Sequence, residues 1–284
     1  MPSLALIQGR IVPLKDARVS VEDRGFQFGD AVYEVVRTYG GRPFALPMHV
    51  ARLRRSARAV DLPVPWDDGR LTRWIGQLVR RSEFRESKIY IQVTRGEAPR
   101  NHPVPAIVRP ALVMTVRRLV PPDPALRARG IRAVTMPDPR WARCDIKTVN
   151  LLGNVLAREE ARRRKVDDAI FIRGGFVAEA TAANVFAAVK GRLVTPPEGP
   201  SILSGVTRAC LIELAREAGI PVAERRISAD ELRGAEEIFL TGTTVEVLPV
   251  VRLDGKPVGG GKPGPTAARL LREWREAVSA GRWM

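Results

Sequence analysis

The stretch AEATAANVF (178–186), read on through LVT to ILSGVTRACLIELA (202–215), holds most of what this chain says about its architecture. Glu179 stands just ahead of a run of small residues and the start of a strand, NVFAAV. Further on, Gly205, Val206 and Thr207 open a segment whose apolar residues recur at helical spacing. Backbone N–H groups at a helix N-terminus, with a threonine hydroxyl beside them, make a place for an anion such as a phosphate. Each feature also has an ordinary reading: a loop carboxylate for Glu179, and a plain N-cap for Gly205 to Thr207.

Upstream, CDIKTVNLLGN (144–154) carries Lys147, one of seven lysines among 47 basic residues. An amine whose pKa is lowered by burial or a neighbouring cation attacks an aldehyde and forms a Schiff base, whereas a guanidinium stays charged. A surface lysine is the alternative. Beside an aldehyde cofactor such as pyridoxal 5′-phosphate (PLP), Glu179 has a matching task. A carboxylate next to the ring nitrogen keeps it protonated, so the ring accepts electrons from a carbanion at the substrate Cα.

The rest of the chain limits the alternatives. It has 284 residues, 45% of them hydrophobic, enough for one large domain or two moderate ones with real cores. No apolar run approaches a membrane span, and MPSLALIQGR lacks the charged start and long apolar run of a signal peptide, so a cytoplasmic protein is expected. Cys144 and Cys210 are too few for a disulfide framework or a zinc cluster, and no metal site is expected. The net charge of +16 invites a nucleic-acid reading, but the basic runs LVRRSEFR and ARRRK lie on helix-like segments and no nucleic-acid motif accompanies them.

Patterning predicts mixed α and β structure in two units. LALIQ and RIVPL read as a strand pair around Gly9, and AVYEVVRTY turns at Gly40-Gly41 into RPFAL. The helices MHVARLRRSARAVDL and RLTRWIGQLVRR follow, then the strands KIYIQVTRG and ALVMTVRRL. The proline-rich segment around VPPDPALRARG is expected to be a linker over residues 120–130, separating an N-terminal domain (1–119) from a C-terminal one (131–284). Beyond it, the strands GIRAVTM, DDAIFI, NVFAAV and EEIFLT alternate with the helices NLLGNVLAREEARRR, TRACLIELAREAG and TAARLLREWREAV.

Several familiar signatures fail. GGGKPGP (259–265) resembles a phosphate loop, but Lys256 stands where its first glycine belongs and Pro263 where Ser or Thr is required. There is no G-x-G-x-x-G after a strand and no G-x-S-x-G elbow, and His49 and His102 are too far apart for a two-histidine metal motif.

Taken together, Lys147, Glu179, NVF, LVT and ILSGVTR resemble the class IV (fold type IV) PLP-dependent aminotransferases, most closely the D-amino acid aminotransferases. The likeness extends over EDRGFQFGDAVYEVV, HVARL, VTRGEAPRNHP, RCDIKTVNLLGNVLA and TGTTVEVLPV. It implies a homodimer with active sites at the subunit interface. Each subunit would have a smaller N-terminal domain and a larger C-terminal domain that carries the Schiff-base lysine, with the cofactor between them.

Carried over, the resemblance makes Lys147 the Schiff-base lysine and proton carrier, and Glu179 the partner of the pyridinium nitrogen. Arg52 would meet the phosphate with Val206, Thr207 and Thr243, and Leu203 would pack against the ring. Tyr33, with Arg100 and His102 from the neighbouring subunit, would grip the substrate α-carboxylate. One departure stands out: where these enzymes commonly show a glycine and serines after the glutamate, this chain has Ala180, Thr181, Ala182 and Ala183, so a polar network near the phosphate is expected to be weaker. The activity implied is ping-pong transfer of the amino group of D-amino acids, such as D-alanine and D-glutamate, to 2-oxo acids. A branched-chain L-amino acid aminotransferase and an aminodeoxychorismate lyase are the alternatives on this fold, and a basic nucleic-acid-binding protein is a remote one.

Overall fold

Leu4 and Leu6, Val32 and Val36, Ile89, Ile91 and Val93, and Leu112, Met114 and Val116 sit at alternating positions of four strands and meet on one face of a sheet. A strand turns successive side chains to opposite faces, so this register places every one of them in the same layer. The computed structural model describes residues 3–284, which divide into two compact units: one of residues 3–120, 146–150 and 283–284, the other of 121–145 and 151–282.

The first unit contains β1 (Leu4–Ile7), β2 (Arg10–Pro13), α1 (Arg24–Phe28), β3 (Ala31–Tyr39), β4 (Arg42–Pro43), α2 (Leu46–Arg58), α3 (Asp68–Ser82), β5 (Ser87–Thr94) and β6 (Ala111–Arg118). The strands form an antiparallel sheet in the order β2-β1-β6-β5-β3-β4. Helices α2 and α3 cover its apolar face with Leu46, Val50, Leu53, Leu71, Ile75 and Leu78. Asp67 starts α3 by accepting from the Arg70 N–H, as an N-cap should.

Residues 146–150 belong to this unit, although the expected boundary put the lysine segment in the C-terminal domain. The physical reason is an open strand edge. The first half of β3 has β5 on one side only, and on the other the Tyr33 N–H donates to the Lys147 carbonyl (2.9 Å) while Thr148 bridges Val32. Asn150 adds a bond to the carbonyl of Gly29. Gly29 ends α1 at φ 70°, and a Cβ there would strike the Asn150 side chain, so only glycine serves.

The second unit contains α4 (Pro124–Arg129), β7 (Ile131–Pro137), α5 (Leu152–Arg163), β8 (Asp168–Arg173), β9 (Phe176–Ala180), β10 (Asn184–Val189), β11 (Arg192–Thr195), α6 (Val206–Glu217), β12 (Val222–Glu224), α7 (Ala229–Arg233), β13 (Glu237–Gly242), β14 (Glu246–Leu253), β15 (Lys256–Pro257) and α8 (Pro265–Ser279). The expected linker thus contains a short helix, α4, begun by Asp123 and a following proline. The sheet runs β12-β11-β10-β13-β14-β7-β8-β9, with β15 on β14. Strand β9, at one end of that order, is joined to interior strand β10 by a tight turn closed by the Ala180 N–H on the Ala183 carbonyl. The sheet therefore curls, and Val177 and Ala180 share a core with Val185, Ala187, Ile238 and Val250.

The glycine-rich segment 259–265 leads into α8 rather than forming a phosphate loop. Glu237 accepts from the Thr266 and Ala267 N–H groups at the start of α8, and a Cβ on Gly264 would overlap that carboxylate. Among the described residues, no helix is long and apolar enough to cross a membrane.

Candidate active site

Two groups of polar side chains, one in each unit, contain the residues singled out from the sequence. In the first unit, Lys147 is half-buried, its N–H donates to the Ser56 hydroxyl of α2 (3.0 Å), and its Nζ lies 4.3 Å from the centroid of the Tyr33 ring. Tyr33 points away from the helix-covered face of the sheet, because the next residue, Glu34, points into it. A second phenol, Tyr90, backs Tyr33 at 5.4 Å and donates to Gln92. Lys147 and Tyr33, far apart in sequence, are thus neighbours.

Arg52 is 4% exposed on α2, and its guanidinium forks onto Glu34: Nε to Oε1 at 2.6 Å and Nη2 to Oε2 at 2.8 Å. Burial alone would raise the Glu34 pKa, but the Arg52 charge and the hydrogen bonds from Arg52 and His49 hold it below the usual carboxylate range. An ionised Glu34 only accepts, so His49 Nδ1, 2.8 Å away, carries the proton. Burial depresses the His49 pKa more than the Glu34 contact lifts it. The ring is neutral, and its Nε2 is buried without a hydrogen-bond partner. Glu34, His49 and Ser56 were not picked out in the sequence; the signal was the placing of one of only two histidines inside HVARL, on the helix that carries Arg52.

Arg100 and His102 lie in the loop between β5 and β6, both exposed. They share one platform: the Arg100 guanidinium is 4.8 Å from the centroid of the Phe28 ring, and the His102 ring is 5.6 Å from it.

In the second unit, Glu179 is the fourth residue of β9, a strand the sequence did not announce, stands ahead of β10 as expected, and is 7% exposed. Its Oε1 receives a close contact from Arg140 Nη1, while Oε2 accepts from Asn184 Nδ2 (3.2 Å) and the Leu203 N–H (3.1 Å). Asn184 also donates to the Leu203 carbonyl at 2.9 Å, so Leu203 is tied to the carboxylate through its backbone. Arg140 is itself held by Asp138 and by the Ser201 carbonyl, and lies over the Phe171 ring. Arg140, inside the turn-like MPDPRWAR, and Asn184 were missed; nothing in a one-dimensional pattern marks an arginine whose partner is distant along the chain.

Val206 and Thr207 begin α6, whose N-cap, Gly205, places no side chain over the helix start. A Cβ at Gly205 would collide with Asn184 Oδ1, so the residue that bares this N-terminus also leaves room for the amide that steadies Glu179. Thr243 lies in the turn joining β13 and β14. In the run Ala180 to Ala183 the one hydroxyl is spoken for: Thr181 donates to Asp168 at 2.5 Å, a contact within the scaffold.

The donor set fits a phosphorylated pyridine aldehyde. The first unit offers an amine at Lys147; the second offers a carboxylate paired with a buried arginine and a helix start free of a side-chain cap. The sequence profile of the amino-transferase class IV family matches residues 31–253, and the chain belongs to that family of PLP-dependent enzymes. Among curated proteins it is 40% identical over 273 residues to the D-alanine aminotransferase of Bacillus licheniformis, covering 96% of each chain. It is 42% identical over 275 residues to that of Listeria innocua, covering 96% of this chain and 95% of that one. Among solved structures, the branched-chain amino acid aminotransferase of Escherichia coli superposes with a TM-score of 0.92 at 28% identity, over 97% of this chain and 94% of that one. The branched-chain enzyme of Thermobaculum terrenum, in its PLP form, gives 0.86 at 28% identity, over 99% and 95%.

Proposed function

We propose that this aminotransferase moves the amino group of D-amino acids, of the D-alanine and D-glutamate type, to 2-oxo acids. When bound, PLP supplies an aldehyde carbon and a ring that accepts electrons. The Lys147 amine would hold that aldehyde and would serve as the base that carries the donor's Cα proton. Glu179, paired with Arg140, would keep the proton on the ring nitrogen. Arg52, Val206, Thr207 and Thr243 take the phosphate, and Leu203 packs on the ring. Tyr33, Arg100 and His102 bind the donor's carboxylate. The observation that carries this reading is the placing of the Lys147 Nζ over the Tyr33 ring, which brings the proton-carrying amine to the phenol that meets the substrate.

Curated relatives of nearly the same length named D-alanine aminotransferase support the D-specific reading. A branched-chain L-specific reading is favoured by the solved neighbours. Assays of the PLP-loaded protein with D-alanine and L-leucine, each with 2-oxoglutarate, separate the two. The expected outcome is a kcat/KM for D-alanine about 100-fold or more above that for L-leucine. Lys147→Ala should abolish turnover and the visible absorption of the bound cofactor. A preference for L-leucine would replace the first reading with the second.

The active form is proposed to be a homodimer in which Arg100 and His102 serve the neighbouring subunit. Leu152, Val155 and Leu156 of α5 are 70%, 58% and 59% exposed, an apolar face of the kind that partners cover. Mixing inactive Lys147→Ala subunits with Arg100→Ala subunits, whose own capture of D-alanine is weakened, should raise the activity at low D-alanine if sites are shared. The buried free thiols of Cys144 and Cys210 fit a reducing compartment and support a cytoplasmic enzyme.

A further inference from the structure

Residues 99–110, between β5 and β6, contain no helix or strand, yet they carry the two side chains assigned to carboxylate recognition. An exposed segment of that kind loses its shape unless something outside it supplies the missing order. Arg24 supplies it. This arginine is 4% exposed, and it spends its guanidinium on three successive carbonyls of the loop: Nη1 on Asn101 (2.6 Å) and, at longer range, Pro103 (3.5 Å), and Nη2 on His102 (3.2 Å).

Its Nε–H goes to Asp30 Oδ2 at 2.9 Å, and the same oxygen accepts from Arg95 Nε at 2.8 Å. Arg95 in turn donates to the Val60 and Asp61 carbonyls beyond α2. The Arg24 backbone is fixed as well: its N–H donates to the Gly96 carbonyl, and its neighbour Asp23 caps α1 while accepting from Thr94 at the end of β5. The loop is therefore tied through one buried guanidinium to the body of the first unit.

The side chains have their own support. The Phe28 ring, one turn along α1, has the Arg24 guanidinium 4.8 Å from its centroid, the Arg100 guanidinium also at 4.8 Å, and the His102 ring at 5.6 Å. A cation over an aromatic face is attracted by its quadrupole, and more strongly where water is excluded. One ring thereby sets the direction of both side chains assigned to the carboxylate, while Arg24 sets the backbone between them.

We infer that Arg24 and Phe28 are the positioning residues of carboxylate specificity, Arg24 shaping the 101–103 backbone and Phe28 aiming Arg100 and His102. This inference rests on the reading of Arg100 and His102 as carboxylate ligands. A loosened loop weakens capture of the donor's carboxylate and the discrimination between D and L forms, and leaves proton transfer by Lys147 comparatively intact.

The test uses the PLP-loaded enzyme, its integrity verified by its visible absorption, with D-alanine and L-alanine as donors. Variants are Arg24→Met, Phe28→Leu, Phe28→Tyr and, as reference, Arg100→Ala. Phe28 is only half-buried, so its replacement does not endanger the fold if Arg24→Met does. The expected result is a KM for D-alanine about tenfold higher in Arg24→Met and several-fold higher in Phe28→Leu, with kcat within roughly threefold, a reduced D/L ratio, and recovery in Phe28→Tyr. If Arg100→Ala raises KM while Arg24→Met and Phe28→Leu leave KM and the D/L ratio at wild-type values, the inference is overturned and the reading of the site stands. If Arg100→Ala itself leaves KM unchanged, the carboxylate reading falls, and the inference falls with it.

Discussion

Arg140 and Glu179 form an ion pair in which the side chains are only 6% and 9% exposed. Asn184 and the Leu203 N–H complete the acceptor shell of the carboxylate, so Glu179 is fixed in orientation before any ligand arrives. Asp138 does the same for Arg140.

Breaking this pair from the arginine side leaves a buried carboxylate short of its cation. Arg140→Met should lower stability by roughly 3–5 kcal/mol, the usual penalty for stripping one partner from a buried pair. On the role proposed for Glu179, the cofactor should also bind about tenfold or more weakly, because the carboxylate loses the charged partner that fixes its orientation. Thermal denaturation reads the first effect, and titration of the apo-protein with PLP, followed by absorption, reads the second.

His49 gives the protein a pH dependence of definite sign. Its native pKa lies below the ordinary 6.5, so as pH falls the unfolded chain takes up the proton first and the native state is disfavoured. The thermal midpoint should therefore drop as pH falls from about 7 towards 5. His49→Asn, which keeps a donor for Glu34 without titrating, should flatten that window. A second loss belongs to Glu34, whose native pKa is depressed. Its contribution is fully present above the ordinary 4.5 and is lost as pH falls below it, in the variant as in the wild type.

At Gly205 a methyl group is enough to disturb two things at once. The added Cβ displaces Asn184 Oδ1, and with it the amide that bonds Glu179 and Leu203. Gly205→Ala should cost about 1–3 kcal/mol of stability by overpacking. It should also weaken PLP binding, measured in the same titration.

The cysteines should be silent in the native protein. Burial, with Glu213 adding to it, pushes the Cys210 thiol up to about 12, and burial raises that of Cys144. A thiolate-selective reagent at pH 8 should label neither residue in the folded enzyme and both in denaturant.

Much of the architecture was legible from periodicity. The alternation in AVYEVVRTY and KIYIQVT, and the helical spacing in RLTRWIGQLVRR, give the elements observed, because burial of one face is imposed by period alone. Helix α2 begins earlier than its apolar pattern, at Leu46 with Pro47 in its first turn, and α1 and α7 are too short to show a period. Glu179 lies within a strand because β9 is buried on both faces, which erases the alternation that would have announced it.

The chain's residue types by themselves determined the chemistry: an amine at Lys147 in a protein that otherwise favours arginine, a carboxylate at Glu179, and a helix opened by Gly205. Tertiary structure alone decided which groups hold them. The open edge of β3 drew residues 146–150 into the first unit, Arg140 reached Glu179 across dozens of residues, and Arg24 reached the 101–103 loop. The physical reason is one of range. Propensity and periodicity act over a few neighbouring residues, whereas a buried charge or an unpaired strand edge is satisfied by whatever the completed fold brings to it.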